Sequence, residues 1–301
     1  MGDIIDIIGQ LKSLDLTSYP YKEIRSLIPQ FGKFGAVQMT LHPGKTIIRA
    51  RPNEPQQRFT TRSELSYKPE KFNTTYQRAI TPNLTMFYGG TIPEDLKEGE
   101  LDNARVVSTL EASNLLRDKD LDGEQTITFS KWVVIKDIPL IAVCYHKDFI
   151  EKSSHTKELF EAYNEWIEQL PHELLDKSIA VTTFLASEFA KKEISGDYDY
   201  MISAIFSQIS IEKGKAGIYY PSVRSDGMGY NVAISPHIFD ESLKLVVAGE
   251  CKMYKIGDRT IVDNEMVCTI DDDSKPFVML PIAREHHIGR NKVFEELNRP
   301  K

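Results

Sequence analysis

The stretch Gly217 to Pro236, GIYYPSVRSDGMGYNVAISP, constrains the fold more than any other. The β-branched and aromatic run Gly217-Ile218-Tyr219-Tyr220 halts at Pro221-Ser222. That reads as a strand end, where a small hydroxyl can face a pocket. Gly227 and Gly229 let the backbone turn or approach a ligand closely. A second strand, Asn231 to Ile234, then leaves and stops at Pro236. Taken alone, the stretch is an ordinary hairpin with a wide polar loop. Its chemical meaning depends on how the rest of the chain fits around it.

A chain of 301 residues has ample core for one large domain or two small ones. Net charge is −7 and the isoelectric point about 5.6. No overall basic field therefore attracts nucleic acid or an anionic membrane. No apolar run approaches bilayer-spanning length. The N-terminus, MGDIIDIIGQLKSL, carries acids where a signal peptide has bases, and Asp6 breaks the myristoylation pattern. Cys144, Cys251 and Cys268 are odd in number and far apart, as expected of reduced thiols in a cytoplasmic protein. The histidines, including His286-His287 in the charged tail, show no metal-ligand spacing, so no metal or prosthetic group is expected. GxGxxG, GxxxxGK[ST] and GxSxG are all absent.

Hydrophobic periodicity predicts helices at 3–14 and 22–31, then strands at 37–41 and 45–51 around a His42-Pro43-Gly44 turn. Residues 52–82 are polar and irregular, a length of loop that is usually functional. A strand at 84–88 is expected to end at Gly89-Gly90, read as a turn. One helix spans 105–117, with Glu111 beside its apolar stripe. Strands at 126–135 and 140–144 flank an Asp137-Ile138-Pro139 turn. A helical insertion follows at 147–170, with Phe160, Tyr163, Trp166 and Ile167 on one side. Helices at 179–192 and 199–210 lead into the Gly217 strand. Strands at 243–254 and 258–269 precede a polar tail from Ala283. The fold class is α+β.

Arg49 and Arg51 lie on an early strand and Arg78 in the long loop; Tyr88, Glu111, Tyr220 and Ser222 follow. Guanidinium forks bind pyrophosphate, aromatics stack on flat rings, and a hydroxyl fixes a ribose or amide. A carboxylate stabilises a developing oxocarbenium ion or prepares its nucleophile. Each residue also has a plainer reading. The arginines suit a charged surface, Tyr88 a core, and Glu111 a solvated helix face.

The segments IIRAR (47–51), YQRAITPNLTMFYGG (76–90), ARVVSTLEASNLLR (104–117), SEFAKKEISGDYDYMISAIFSQIS (187–210) and, most specifically, 217–236 resemble the RES-domain family, named for its Arg, Glu and Ser. The resemblance covers roughly residues 45 to 236. It implies an ADP-ribosyltransferase-like split β-sheet core with flanking helices. Residues 1–44 would form a helical cap, 45–240 the catalytic core with its insertion at 147–170, and 241–301 C-terminal strands and a polar tail. The implied activity is cleavage of the nicotinamide–ribose bond of NAD, the substrate, by hydrolysis or phosphorolysis. In the family's compact members this belongs to a toxin covered by an antitoxin, so an antitoxin-like partner is implied too.

Carried over, Glu111 is the catalytic carboxylate and Ser222 orients the nicotinamide ribose. Arg78 holds the pyrophosphate or that ribose, with Arg49 or Arg51 assisting, and Arg58 and Arg62 sit in the same loop. Tyr88 and Tyr220 line the nicotinamide pocket. Compact members read Gly-Gly-Arg-Trp-Asn where this chain has Tyr76-Gln77-Arg78-Ala79-Ile80, and the insert at 91–103 stretches the Tyr88–Glu111 interval. Two other readings stay open: ADP-ribose transfer to a macromolecule, and a catalytically silent module that binds a nucleotide or a partner.

Overall fold

Strands whose successive side chains point to opposite faces organise the molecule. The structure, a computed structural model, describes residues 2–283 and 290–298. Ten strands join one mixed sheet: β1 (Val37–Leu41), β2 (Thr46–Pro52), β3 (Phe87–Thr91), β4 (Gly123–Val134), β5 (Ile138–Ala142), β6 (Gly217–Pro221), β7 (Tyr230–Ile234), β8 (Leu243–Ile256), β9 (Arg259–Thr269) and β10 (Leu280–Pro281). Their spatial order is β1-β5-β6-β7-β3-β2-β4-β8-β9-β10, with every pairing antiparallel except β5 with β6. The protein is α+β.

In chain order the helices are α1 (Gly2–Ser13), α2 (Tyr21–Leu27), α3 (Arg62–Leu65), α4 (Ala104–Ala112), α5 (Asn114–Arg117), α6 (Lys147–Ile150), α7 (Ser154–Ile167), α8 (His172–Phe189), α9 (Met201–Glu212), α10 (Pro236–Ser242) and α11 (Arg290–Leu297).

The alternation sorts the core into two layers. Ile218, Tyr220 and Ala233 join the cluster built with Ile4, Ile7 and Leu11 of α1, Ile24 and Leu27 of α2, and the buried faces of α8 and α9. Tyr219, Val232 and Ile234 point the other way, into a cluster with Trp132, Phe87 and Phe239. Strands β6 and β7 are buried along their whole length, which is why both read as continuous apolar runs.

Several expected elements differ from those observed. The predicted 84–88 strand is shifted to Phe87–Thr91, so Gly89-Gly90 lies inside β3 and is no turn. The 105–117 helix breaks at Ser113, whose side chain caps α5 by accepting from the Leu116 N–H. Ile138 and Pro139 belong to β5, paired with Leu41 and Thr40 of the edge strand β1, where a proline's missing N–H is tolerated. Helix α8 starts at His172 rather than Ile179. Trp166 is 46% exposed, unlike its neighbours Tyr163 and Ile167. The irregular segment contains α3, closed by a capping box from Thr61 and Glu64. The tail is not wholly polar, because α11 buries Val293 and Leu297 against Tyr254. His286-His287 lies outside the described residues. No helix among the described residues is long and apolar enough to cross a membrane.

Candidate active site

Helix α4 crosses a row of four cross-strand partners: Ile48, Gly90, Asn231 and Tyr220. It comes this close because two backbone positions lack a side chain, Gly90 within β3 and Gly229 just before β7. A Cβ on Gly90 would lie 2.7 Å from Ser108 Oγ and 3.1 Å from its amide nitrogen. One on Gly229 would lie 2.3 Å from Val107 Cγ2. Ser108 then ties helix to sheet, its hydroxyl 2.8 Å from the carbonyl oxygens of Ile48 and Ala104. Residues three apart on a helix share a face. Glu111, one turn beyond Ser108, is thereby brought down onto Asn231.

The carboxylate of Glu111 is held at one oxygen. Ser222 Oγ donates to Oε1 at 2.7 Å, and Asn231 Nδ2 donates to the same atom at 2.8 Å. Among the described residues no hydrogen bond reaches Oε2. Ser222 has no exposed surface. It therefore sits behind Glu111 rather than facing the pocket, a correction to the expectation drawn from the strand end.

The loop that carries Ser222 is tied at both ends. The Ser222 N–H donates to Gly229 O at 2.7 Å and the Gly227 N–H to Ser222 O at 2.8 Å. Gly227, at φ +86°, packs so closely on the Phe149 ring that a Cβ would lie 2.6 Å from it. Asp226 pairs with Lys152 and, at 3.2 Å, with Lys192. The helical insertion thus supports this loop through α6 and the turn after it.

In front of Glu111 opens a cleft of roughly 670 Å³, whose lining includes five arginines: Arg49, Arg51, Arg78, Arg117 and Arg224. Among the described residues Glu111 is the only carboxylate in that lining. Four of the five guanidiniums are oriented by main-chain carbonyls. Arg49 donates to Tyr88 O (2.7 Å), Arg51 to Glu64 O, Arg117 to Glu111 O (2.8 Å), and Arg78 to Phe189 O and Lys191 O (2.6 Å each). Arg224 makes no hydrogen bond among the described residues. Among the described residues none of the five is in an ion pair, whereas Arg25, Arg58 and Arg62 outside the cleft pair with Glu212, Glu250, and Asp240 and Asp273.

This charge is concentrated, and it is offset only in part by Glu64 acting on Arg51 and Glu111 acting on Arg117. Burial, then the neighbouring Arg51, pulls the Arg49 pKa down to about 10, still charged at neutral pH. Its Nε is buried without a partner. Burial first and the charge of Arg224 second hold Arg117 below its ordinary value.

Arg78 is 6% exposed, and its fork is engaged on the end of α8 and the turn that follows, with Tyr200 stacked 5.1 Å from the guanidinium. Tyr88 and Tyr220 line the cleft. The Tyr88 hydroxyl accepts from the Ala79 N–H at 2.6 Å, and burial raises the pKa of both phenols, so they act as neutral groups.

All seven residues selected in the sequence therefore converge: six line the cleft, and Ser222 reaches it through Glu111. Arg58 and Arg62 lie elsewhere, on their acidic partners. Sequence reasoning missed Asn231, Arg117 and Arg224. For Asn231 a signal existed: an amide within the buried run YNVAI needs a partner. No comparable signal marked the two arginines. Among the described residues no group of three or more His, Cys, Asp or Glu is placed to hold a metal. Comparison of the chain with models of known families, with characterised proteins and with solved structures yields no match.

Proposed function

We propose that the protein consumes NAD, cleaving the bond between nicotinamide and ribose, in an ADP-ribosyltransferase-like core of RES type. The observation that carries this reading is a carboxylate, fixed at one oxygen by Ser222 and Asn231, in a cleft lined by five guanidiniums that form no ion pair among the described residues. The positive rim suits a diphosphate. The neutral phenol of Tyr88, half-buried at the cleft, offers flat surface to a ring, with Tyr220 buried beside it. Nicotinamide leaves without needing a proton, so positive charge develops at the ribose carbon and oxygen. A fixed carboxylate stabilises that charge without reorganising.

In this reading Ser222 and Asn231 set the direction of Glu111. Oε2 is the atom that meets the ribose or its acceptor. Arg49 and Arg51 take the diphosphate, and Arg78 holds the end of α8 beside them. An antitoxin-like partner over the cleft is supported by the family resemblance alone.

The test is NAD loss by the purified chain, with and without phosphate, beside Glu111→Gln. Loss in the wild type only, with NAD still bound by the variant, is the expected result. Equal loss in both sinks the assignment of Glu111. Binding without any loss favours transfer to a macromolecule or a silent module.

A further inference from the structure

We infer that Arg117 and Arg224 form a subsite for a phosphate dianion, separate from the position of the substrate diphosphate. The inference rests on the reading of the cleft as a dinucleotide site and deepens it.

Charge balance is the first argument. Five guanidiniums against one carboxylate leave a formal surplus of four positive charges in the cleft. A nicotinamide dinucleotide offsets little of it, because its diphosphate carries two negative charges and its nicotinamide ring one positive. A second dianion brings the site close to neutrality. In a chain of net charge −7, acids to quench the surplus are plentiful, and outside the cleft they do pair with arginines. Within it, among the described residues, none forms an ion pair, although the charge of Glu64 reaches Arg51. Holding like charges together without counter-ions costs free energy that a bound anion returns.

Placement is the second argument. Arg49 and Arg51 alternate on β2, whereas Arg117 ends α5 and Arg224 stands on the loop between β6 and β7. Both line the cleft that holds the catalytic carboxylate, and the charge of Arg224 acts on Arg117. Arg117 donates to the Glu111 main-chain oxygen, and Arg224 stands two residues from Ser222, which donates to Glu111 Oε1. Among the described residues Arg224 has no hydrogen bond, yet its loop is pinned by the Ser222–Gly229 and Asp226 contacts. A free fork on a fixed loop, with a second fork in the same cleft, is suited to the several acceptor oxygens of a phosphate. The dianion has two chemical sources: free inorganic phosphate, or a phosphate ester on the dinucleotide.

Calorimetric titration of inorganic phosphate alone, at constant ionic strength, into the full chain and into Arg117→Gln, Arg224→Gln and the double variant tests the subsite. Melting curves verify that each variant is folded. The expected result is one phosphate site, weakened by about tenfold or more in each single variant and lost in the double. No binding to the wild type, or binding that survives in the double variant, overturns the inference. Rates with NAD, with NAD plus phosphate, and with 2′-phosphorylated NAD then name the source. Acceleration of NAD loss by phosphate assigns the free ion, and a preference for the phosphorylated dinucleotide that the double variant loses assigns the ester. Phosphate bound by the pair without any turnover of dinucleotide sinks the NAD reading and leaves the anion subsite standing.

Discussion

At the residue scale, Glu111 is defined by its two donors. Ser222→Ala removes one of them and leaves Asn231 alone on Oε1. A lost donor to a charged group that matters in the transition state predicts a fall in kcat of about tenfold, roughly 1.4 kcal/mol, in NAD turnover. KM should change little, since Ser222 has no exposed surface with which to meet a ligand. A variant that raises KM at constant kcat would place Ser222 on the substrate instead. Arg78 carries the opposite expectation. Its guanidinium satisfies two carbonyls at the end of α8, so Arg78→Ala should cost about 2–4 kcal/mol of stability in denaturant titration. Arg78→Lys should recover little of it, because an ammonium lacks the planar fork. Unchanged stability with weakened NAD binding would return Arg78 to the role implied by the family resemblance.

At the element scale, the decisive contact is α4 on the sheet. Gly90→Ala places a methyl against Ser108 Oγ and its backbone nitrogen, and the helix backbone cannot give way as a flexible side chain would. Overpacking of this kind costs about 1–3 kcal/mol. It also lifts Glu111 from Asn231, so melting temperature and NAD turnover should fall together. Activity at the wild-type level in a destabilised Gly90→Ala would show that the seating of α4 does not control the carboxylate. The reading of Gly89-Gly90 as a turn failed for a local reason. A glycine pair looks the same in sequence whether it bends the chain or clears a path for a helix. The break at Ser113 was equally hidden, because the apolar spacing of 105–117 continues across it while the hydroxyl caps a new helix.

At the scale of the whole molecule, the sheet that supports the site also shields the chain's thiols. Burial pushes the Cys144 thiol up to about 12 and the Cys251 thiol up to about 11, so neither ionises near pH 8. Cys268 is half-buried. A thiol reagent at pH 8 should therefore modify one cysteine of the native protein rapidly and all three after denaturation. Rapid modification of more than one would contradict the two-layer core. The C-terminal segment belongs to the same body. Strands β8 and β9 extend the sheet beyond β4, and α11 closes over Tyr254.

Most of the element types are legible in the chain alone, because periods of two and of 3.6 residues are written locally. It also carried the residue types of the site, since a diphosphate calls for arginine forks and a developing cation for a carboxylate. Tertiary structure decided what those residues do. Glu111 meets Ser222 and Asn231 only because β6, β7 and β3 lie side by side and two glycines admit α4. Arg78 is drawn onto the end of α8 while Arg117 and Arg224, unremarkable in the sequence, face the cleft. Which strands neighbour one another depends on pairings between residues far apart in the chain. No local pattern encodes the geometry those pairings impose.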